Sequence, residues 1–418
     1  MNIAQLGSRI EEQIRGFSGI LSKGLGKIDR RLVGEMIYGI QMRQSTRLSE
    51  IGRSLNEETS LKKVIERLSR NLGHEGLGAQ VVDAVAREGA PRIGQDTLLV
   101  ADISEIVKPY GKKMEYLADV RDASEKRIRK GYWTLNVIGC DCGEHEITPL
   151  WLSLWSQNAK GFESENMEIL NAVDGVRRHT GDNGVWVIDR GGDRRTLPVP
   201  LLKRQARFII RMRGDRHVVL RGRRRVLADV AAGCALPYAD VIIKEEKNKE
   251  VPYRLEYGFR KVKLPGRDER LYPIVVKGLG KEPPMLLTNI PARKKRTVLW
   301  WFVRSYLTRW RIEDTIRFFK QSYHLEDIRA LRYRRLQNMM AFVLGAAYFA
   351  AAYLGVKVKL RVMTGRVLKA AQRIFGIPDF RYYAIADGIG EILRRWGKGP
   401  RRRALPDRLP GQLLLFDS

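Results

Sequence analysis

The eight residues Thr97–Ser104, TLLVADIS, set a carboxylate directly behind the apolar run Leu98–Ala101. A short apolar run ending in a carboxylate reads as a buried strand closed by an acid. Residues Val185–Asp193, VWVIDRGGD, repeat the design with Asp189. Between them YWTLNVIGC and HEITPLWLSLW have strand composition, and Glu163–Arg178 reads as a helix. After the second run, Leu197–Gln205 reads as a helix and ARFIIRMR as a strand. Three strands, a helix, a strand, a helix and a strand make an α/β layer. Asp102 and Asp189 are each expected to close a strand. A buried acid is unfavourable without a partner, and two such strands in one sheet would bring both acids to one edge.

The segment Tyr306–Lys320, YLTRWRIEDTIRFFK, reads as one continuous helix. Tyr306, Arg309, Glu313 and Lys320 then share an arc of about 60°, beside an apolar strip of Ile312, Ile316 and Phe319. Arg309 stands one turn from Glu313, a spacing that also suits an ordinary exposed ion pair. If this helix packs on the sheet edge, Glu313 joins Asp102 and Asp189. Three converging acids repel, and a divalent cation such as Mg²⁺ would relieve that repulsion.

Outward from this core, residues 214–290 break into short charged β-like pieces divided by Gly and Pro, an antiparallel insertion. Leu336–Val356 has no charge and could span a bilayer by length. Its Ala, Gly and Tyr content favours a buried helix, so no membrane is expected. Residues 47–72, RLSEIGRSLNEETSLKKVIERLSRNL, hold two short amphipathic helices with Ser60 as N-cap of the second. Lys62, Lys63, Arg67 and Arg70 on that helix suit a helix-turn-helix in a major groove, and equally a plain αα-hairpin.

The domain plan is therefore a helical N-terminal domain (1–94), a catalytic core in two parts (95–213 and 291–356) around the β insertion (214–290), a C-terminal helical region (357–396), and a mobile basic tail (397–418). Within 418 residues, 77 Lys and Arg against 47 Asp and Glu leave a net charge of +30. A polyanionic partner, nucleic acid before any other, accounts for such an excess. Lys203–Arg225 opposes ten basic residues to Asp215 alone and reads as a phosphate-tracking surface. Lys108, Lys112, Lys113 and Arg190 are expected to face DNA beside the acids. Three cysteines give no disulfide framework and fit a reducing cytoplasm. Cys140-x-Cys142-x2-His145 lacks a second ligand cluster and does not read as a zinc site.

Tyr306-x2-Arg309-x3-Glu313-x6-Lys320 resembles the Y-R-E-K signature of bacterial insertion-sequence transposases with a DDE triad on an RNase H-like fold. TLLVADIS, VIDRGGD and the β insertion before Glu313 extend the resemblance over roughly residues 45–345. It implies an RNase H-like mixed sheet with flanking helices, and an enzyme that cuts DNA at its element's ends and joins the 3′ ends to target DNA. It implies Asp102, Asp189 and Glu313 as ligands of Mg²⁺, with Mn²⁺ able to substitute. Tyr306, Arg309 and Lys320 would hold phosphates, and a homodimer on paired ends would work at the bacterial nucleoid. The chain departs from some relatives in having Pro284 and Met285, not tryptophan, in the strand where a flipped base is stacked. A nuclease that does not rejoin, or an inactive DNA-binding relative, is the alternative. Finally, Gln412–Phe416, QLLLF, either folds back on the protein or serves as a peptide for the replication sliding clamp, which it resembles; Gln412, Leu413, Leu415 and Phe416 would then be the contacts.

Overall fold

The computed structural model describes residues 3–122, 125–144, 146–189, 191, 197–246, 249–280, 283–354 and 382–400. Arg190, His145, residues 355–381 and the QLLLF segment (Gln412, Leu413, Leu415, Phe416) lie outside them.

Helices come first: α1 (Ile3–Leu21), α2 (Lys27–Arg43), α3 (Leu48–Ser54), α4 (Leu61–Asn71) and α5 (Leu77–Gly89). After them come β1 (Leu98–Val107), β2 (Ala118–Arg121), β3 (Ile128–Cys140), β4 (Thr148–Trp155), α6 (Glu165–Thr180), β5 (Val185–Ile188), α7 (Pro198–Lys203) and β6 (Phe208–Met212). The insertion holds β7 (His217–Leu220), β8 (Arg223–Val226), α8 (Leu227–Ala232), β9 (Tyr238–Glu246), β10 (Lys249–Phe259), β11 (Tyr272–Lys277) and β12 (Met285–Thr288). The chain closes with α9 (Arg296–Thr308), α10 (Arg311–Ser322), α11 (Tyr333–Tyr348) and α12 (Tyr382–Trp396).

The mixed α/β expectation holds. A ten-stranded sheet runs β2-β3-β1-β5-β6-β12-β11-β10-β9, with β4 also on β3. β3 lies antiparallel to both β1 and β4, whereas β5 lies parallel to β1 and β6 parallel to β5. The insertion is antiparallel and extends this same sheet from β6 through β12. Among the described residues only β7 and β8 stand apart, as a two-stranded ribbon whose Arg223, Arg224 and Arg225 are exposed.

Side-chain alternation divides the core. Leu98, Val100, Val185, Val187 and Ile209 face one side, and Leu99, Ala101, Trp186, Ile188, Phe208 and Ile210 the other. The second face is covered by α6, α7 and α8 through Val173, Leu201 and Val230. The first carries the larger core, and it is continuous from Leu6 in α1 through Phe342 in α11 to Trp396 in α12. Residues 3–94 thus share one hydrophobic body with the sheet. Asn338 on α11 fastens the join: its Oδ1 accepts from Gly78 N at 3.0 Å, and its Nδ2 donates to the carbonyls of Leu72 and His74 at 2.8 and 2.9 Å.

The apolar stretch forms α11 and a π-helical turn, Phe349–Tyr353. Tyr333–Tyr353 is long and apolar enough to cross a membrane by length and composition, and 83% of its most apolar portion is buried inside the protein.

Candidate active site

β1 does not end at the first acid, contrary to expectation, because its pairing with β3 continues to Val107↔Gly131. What ends there is the parallel pairing with β5, whose last register pair is Ala101↔Ile188. The next residues on the two strands are Asp102 and Asp189. By alternation each follows the Leu98–Val100 and Val185–Val187 face, the side on which α9 and α10 pack. Asp102 Oδ1 accepts from Ile103 N at 3.0 Å, and Asp189 Oδ1 accepts from Gly191 N at 2.8 Å in the turn after β5.

Tyr306–Lys320 is not one helix. α9 stops at Thr308 and α10 starts at Arg311, and the backbone N–H groups of Arg309, Trp310, Ile312 and Glu313 reach back to carbonyls three residues earlier. Neither Pro nor Gly occupies this junction; the hydrogen bonding simply tightens over one turn. Arg309 stands there, with its side chain only 9% exposed. Its Nη1 lies 3.4 Å from Asp102 Oδ2 and its Nη2 3.2 Å from Glu313 Oε1. The expected pair with Glu313 is therefore made, but by a buried guanidinium that also reaches the first acid. Tyr306 is buried beneath it, with Arg309 Cζ 5.7 Å from its ring centre and Arg211 Nη1 3.4 Å from its hydroxyl.

The structure thus brings Asp102, Asp189, Glu313, Arg309 and Tyr306 into one neighbourhood. Burial pushes the Asp102 carboxyl up to about 7; the negative charges of Asp189 and Glu313 add to that, and Arg309 opposes them. Burial works against the charge on Arg309, yet Asp102, Tyr306, Asp189 and Glu313 more than restore it. Among the described residues, no group of three acids, histidines or cysteines stands ready to ligate one ion. The chemistry of the acids nonetheless suits a hard divalent cation, since the three carboxylates carry more negative charge than the single guanidinium offsets.

Other expected site residues are placed differently. Lys320 Nζ sits 3.0 Å from Glu105 and 3.7 Å from Glu326, tying α10 to β1. Lys108 was expected to face DNA, but it is buried and its ammonium donates to the carbonyls of Glu326 and Ile328. Burial lowers its pKa to about 8, against the raising effect of Glu326 and Asp327. Lys112 and Lys113 are exposed nearby. On α4, Lys62 and Lys63 are exposed, whereas Arg67 turns inward to Glu35 at 2.6 Å and Glu57 at 2.7 Å. Ser60 occupies the N-cap position of α4 without making a side-chain capping bond. Within Lys203–Arg225, Arg204 pairs with Asp174 and Arg207 with Asp96. Cys140 is a buried residue of β3 whose thiol burial pushes up to about 12.

Sequence reasoning missed Glu165. It opens α6 and lines a cavity of about 130 Å³ with Asp102, Asp189 and Gly191. The signal for it was faint: Ser164 is an N-cap, accepting from Met167 N, and an acid after an N-cap is ordinary helix chemistry.

No protein-family model matches this chain, and no curated protein matches it. Among solved structures it is similar to the piggyBac transposase, in a synaptic complex with hairpin DNA, at 11% sequence identity and a TM-score of 0.42. The alignment covers 96% of this chain and 84% of that one.

Proposed function

We propose that the chain is a metal-dependent DNA transposase with an RNase H-like core, and that Asp102, Asp189 and Glu313 are its catalytic acids. One observation carries this reading: Asp102 and Asp189 are the first residues past a parallel strand pair, and Glu313 is linked to Asp102 through Arg309. The strand order β4-β3-β1-β5-β6, antiparallel then parallel, supports the RNase H-like assignment.

Asp102, Asp189 and Glu313 would hold Mg²⁺ or Mn²⁺, which lowers the pKa of a water nucleophile and offsets charge on the leaving oxygen in phosphoryl transfer. The chain's own residues then have distinct tasks. The Gly191 N–H fixes one oxygen of Asp189, and the Ile103 N–H fixes one of Asp102. Arg309 supplies a fork of donors that can grip a phosphate oxygen in two places. Tyr306 forms the shelf on which that guanidinium rests. Exposed Lys62, Lys63, Lys112, Lys113 and Arg223–Arg225 supply sequence-independent attraction to the DNA backbone. Joining 3′ ends to target DNA, a bacterial insertion-sequence origin and a dimer on paired ends belong to the same proposal. Gln412, Leu413, Leu415 and Phe416 would be the contacts with a sliding clamp.

The test uses purified protein and duplex DNA carrying the flanks of its own gene, in Mg²⁺. Glu313→Gln, Asp102→Asn and Asp189→Asn should each bind DNA and lose strand cleavage by orders of magnitude. The triple variant should be scarcely worse, because the set acts as a unit. Cleavage by Glu313→Gln at the wild-type rate would refute the assignment. Cleavage without strand joining in the wild type would leave a nuclease.

A further inference from the structure

We infer that Arg309 is the resident counter-cation of the DNA-free site, and that it competes with a divalent ion for Asp102 and Glu313. This rests on the metal-dependent reading above and adds a regulation of that same site.

The geometry has four parts. The guanidinium spans the two acids, one nitrogen toward each, at 3.4 and 3.2 Å. Both separations exceed the roughly 2.7–2.9 Å of a firm charge-assisted hydrogen bond, so the clasp is loose. The third guanidinium nitrogen, Nε, is buried with no hydrogen-bond partner among the described residues. Arg309 is thus held in the site by charge, without the full set of bonds a structural arginine makes. Glu313 is 53% exposed, so of the two partners the acid lies where a side chain has room to reorient and to leave the buried guanidinium.

A fixed positive charge between two ligand carboxylates disfavours a second cation there, because the two would repel at contact distance. Removing Arg309 leaves Asp102, Asp189 and Glu313 with uncompensated repulsion that an incoming ion would relieve. In the intact protein, a substrate phosphate would offer Arg309 an alternative anion and so release the acids to the metal. Metal and DNA binding would then be positively coupled, each making room for the other.

The experiment is Mn²⁺ binding to the full-length, DNA-free protein, read by titration calorimetry and by the free-ion paramagnetic resonance signal. Arg309→Gln should bind Mn²⁺ about tenfold or more tightly than wild type. Arg309→Lys, which keeps the charge on a smaller head, should fall between the two. The double variant Arg309→Gln, Asp102→Asn should lose the gain, which places the ion at these carboxylates. Thermal melts in chelator confirm that each variant is folded, and Arg309→Lys serves if Arg309→Gln is not. If wild type binds Mn²⁺ and neither variant binds more tightly, the competition is refuted while the metal-dependent reading stands. If neither wild type nor any variant binds Mn²⁺, both fall together.

Discussion

Asp102→Asn separates charge from shape at the centre of the site, and its effect on stability follows from the Asp102 titration. The folded protein holds this carboxyl at about 7, against an ordinary 3.8. Because the folded-state value is the higher one, the associated stability is complete below about pH 3.8 and is lost as pH rises through about 7. At 1.36 kcal/mol per pH unit the full span is about 4 kcal/mol, of which about 3 kcal/mol is lost between pH 5 and pH 8. The asparagine cannot ionise, so it escapes that loss. For 418 residues, an unfolding entropy near 2.1 cal/mol/K per residue gives about 0.9 kcal/mol per degree. In chelator, Tm of Asp102→Asn minus Tm of wild type should therefore grow by about 3 °C from pH 5 to pH 8. Scanning calorimetry at four or five pH values would read it. Adding Mg²⁺ at pH 8 should raise wild type more than the variant, because the ion relieves a repulsion the variant no longer has. Parallel Tm curves for the two proteins across this range would show that Asp102 carries no such burden, and the rise in its pKa assigned to burial and to the neighbouring acids would be wrong.

Lys62→Ala combined with Lys63→Ala should weaken DNA binding and flatten log K against log[salt] by roughly 1–2, at about 0.9 per lost phosphate contact. Arg67→Ala should lower stability instead, since it leaves Glu35 and Glu57 with Arg31 alone in place of two arginines; a fluorescence-anisotropy salt series beside urea melts distinguishes the two effects, and an unchanged slope in the lysine pair would remove α4 from the interface. Asn338→Ala strands Gly78 N and the carbonyls of Leu72 and His74, and should destabilise the protein by about 2–4 kcal/mol. Urea melts should show one transition moved as a whole. An early separate transition would mean that the N-terminal helices unfold on their own.

How much of the fold and site was legible in the sequence depended on the range of the interaction. Strand and helix signals are local. Four apolar residues before Asp102 and before Asp189 mark strands wherever they sit, and alternation then carries both acids to one face. Glu313 was legible for the same reason, because three- and four-residue spacing places it beside an apolar strip that must pack. The α9–α10 junction was not legible, since Arg309 and Trp310 keep helical backbone angles and only the hydrogen-bond pattern changes. Charge pairing was least legible of all. Lys108 and Arg67 looked like members of basic clusters, yet one is claimed by carbonyls more than 200 residues away and the other by Glu57 and by Glu35 on α2. The count of 77 Lys and Arg therefore overstates the basic side chains offered to DNA, and the lysines and arginines left exposed on α4 and β8 are where binding should concentrate. Arg309 owes its place to the same competition for partners. In a chain so rich in cations the acids would be neutralised by some arginine in any event, and the sequence placed one a single turn from Glu313. What sequence could not show is that this arginine is buried beside Asp102 and bridges it to Glu313.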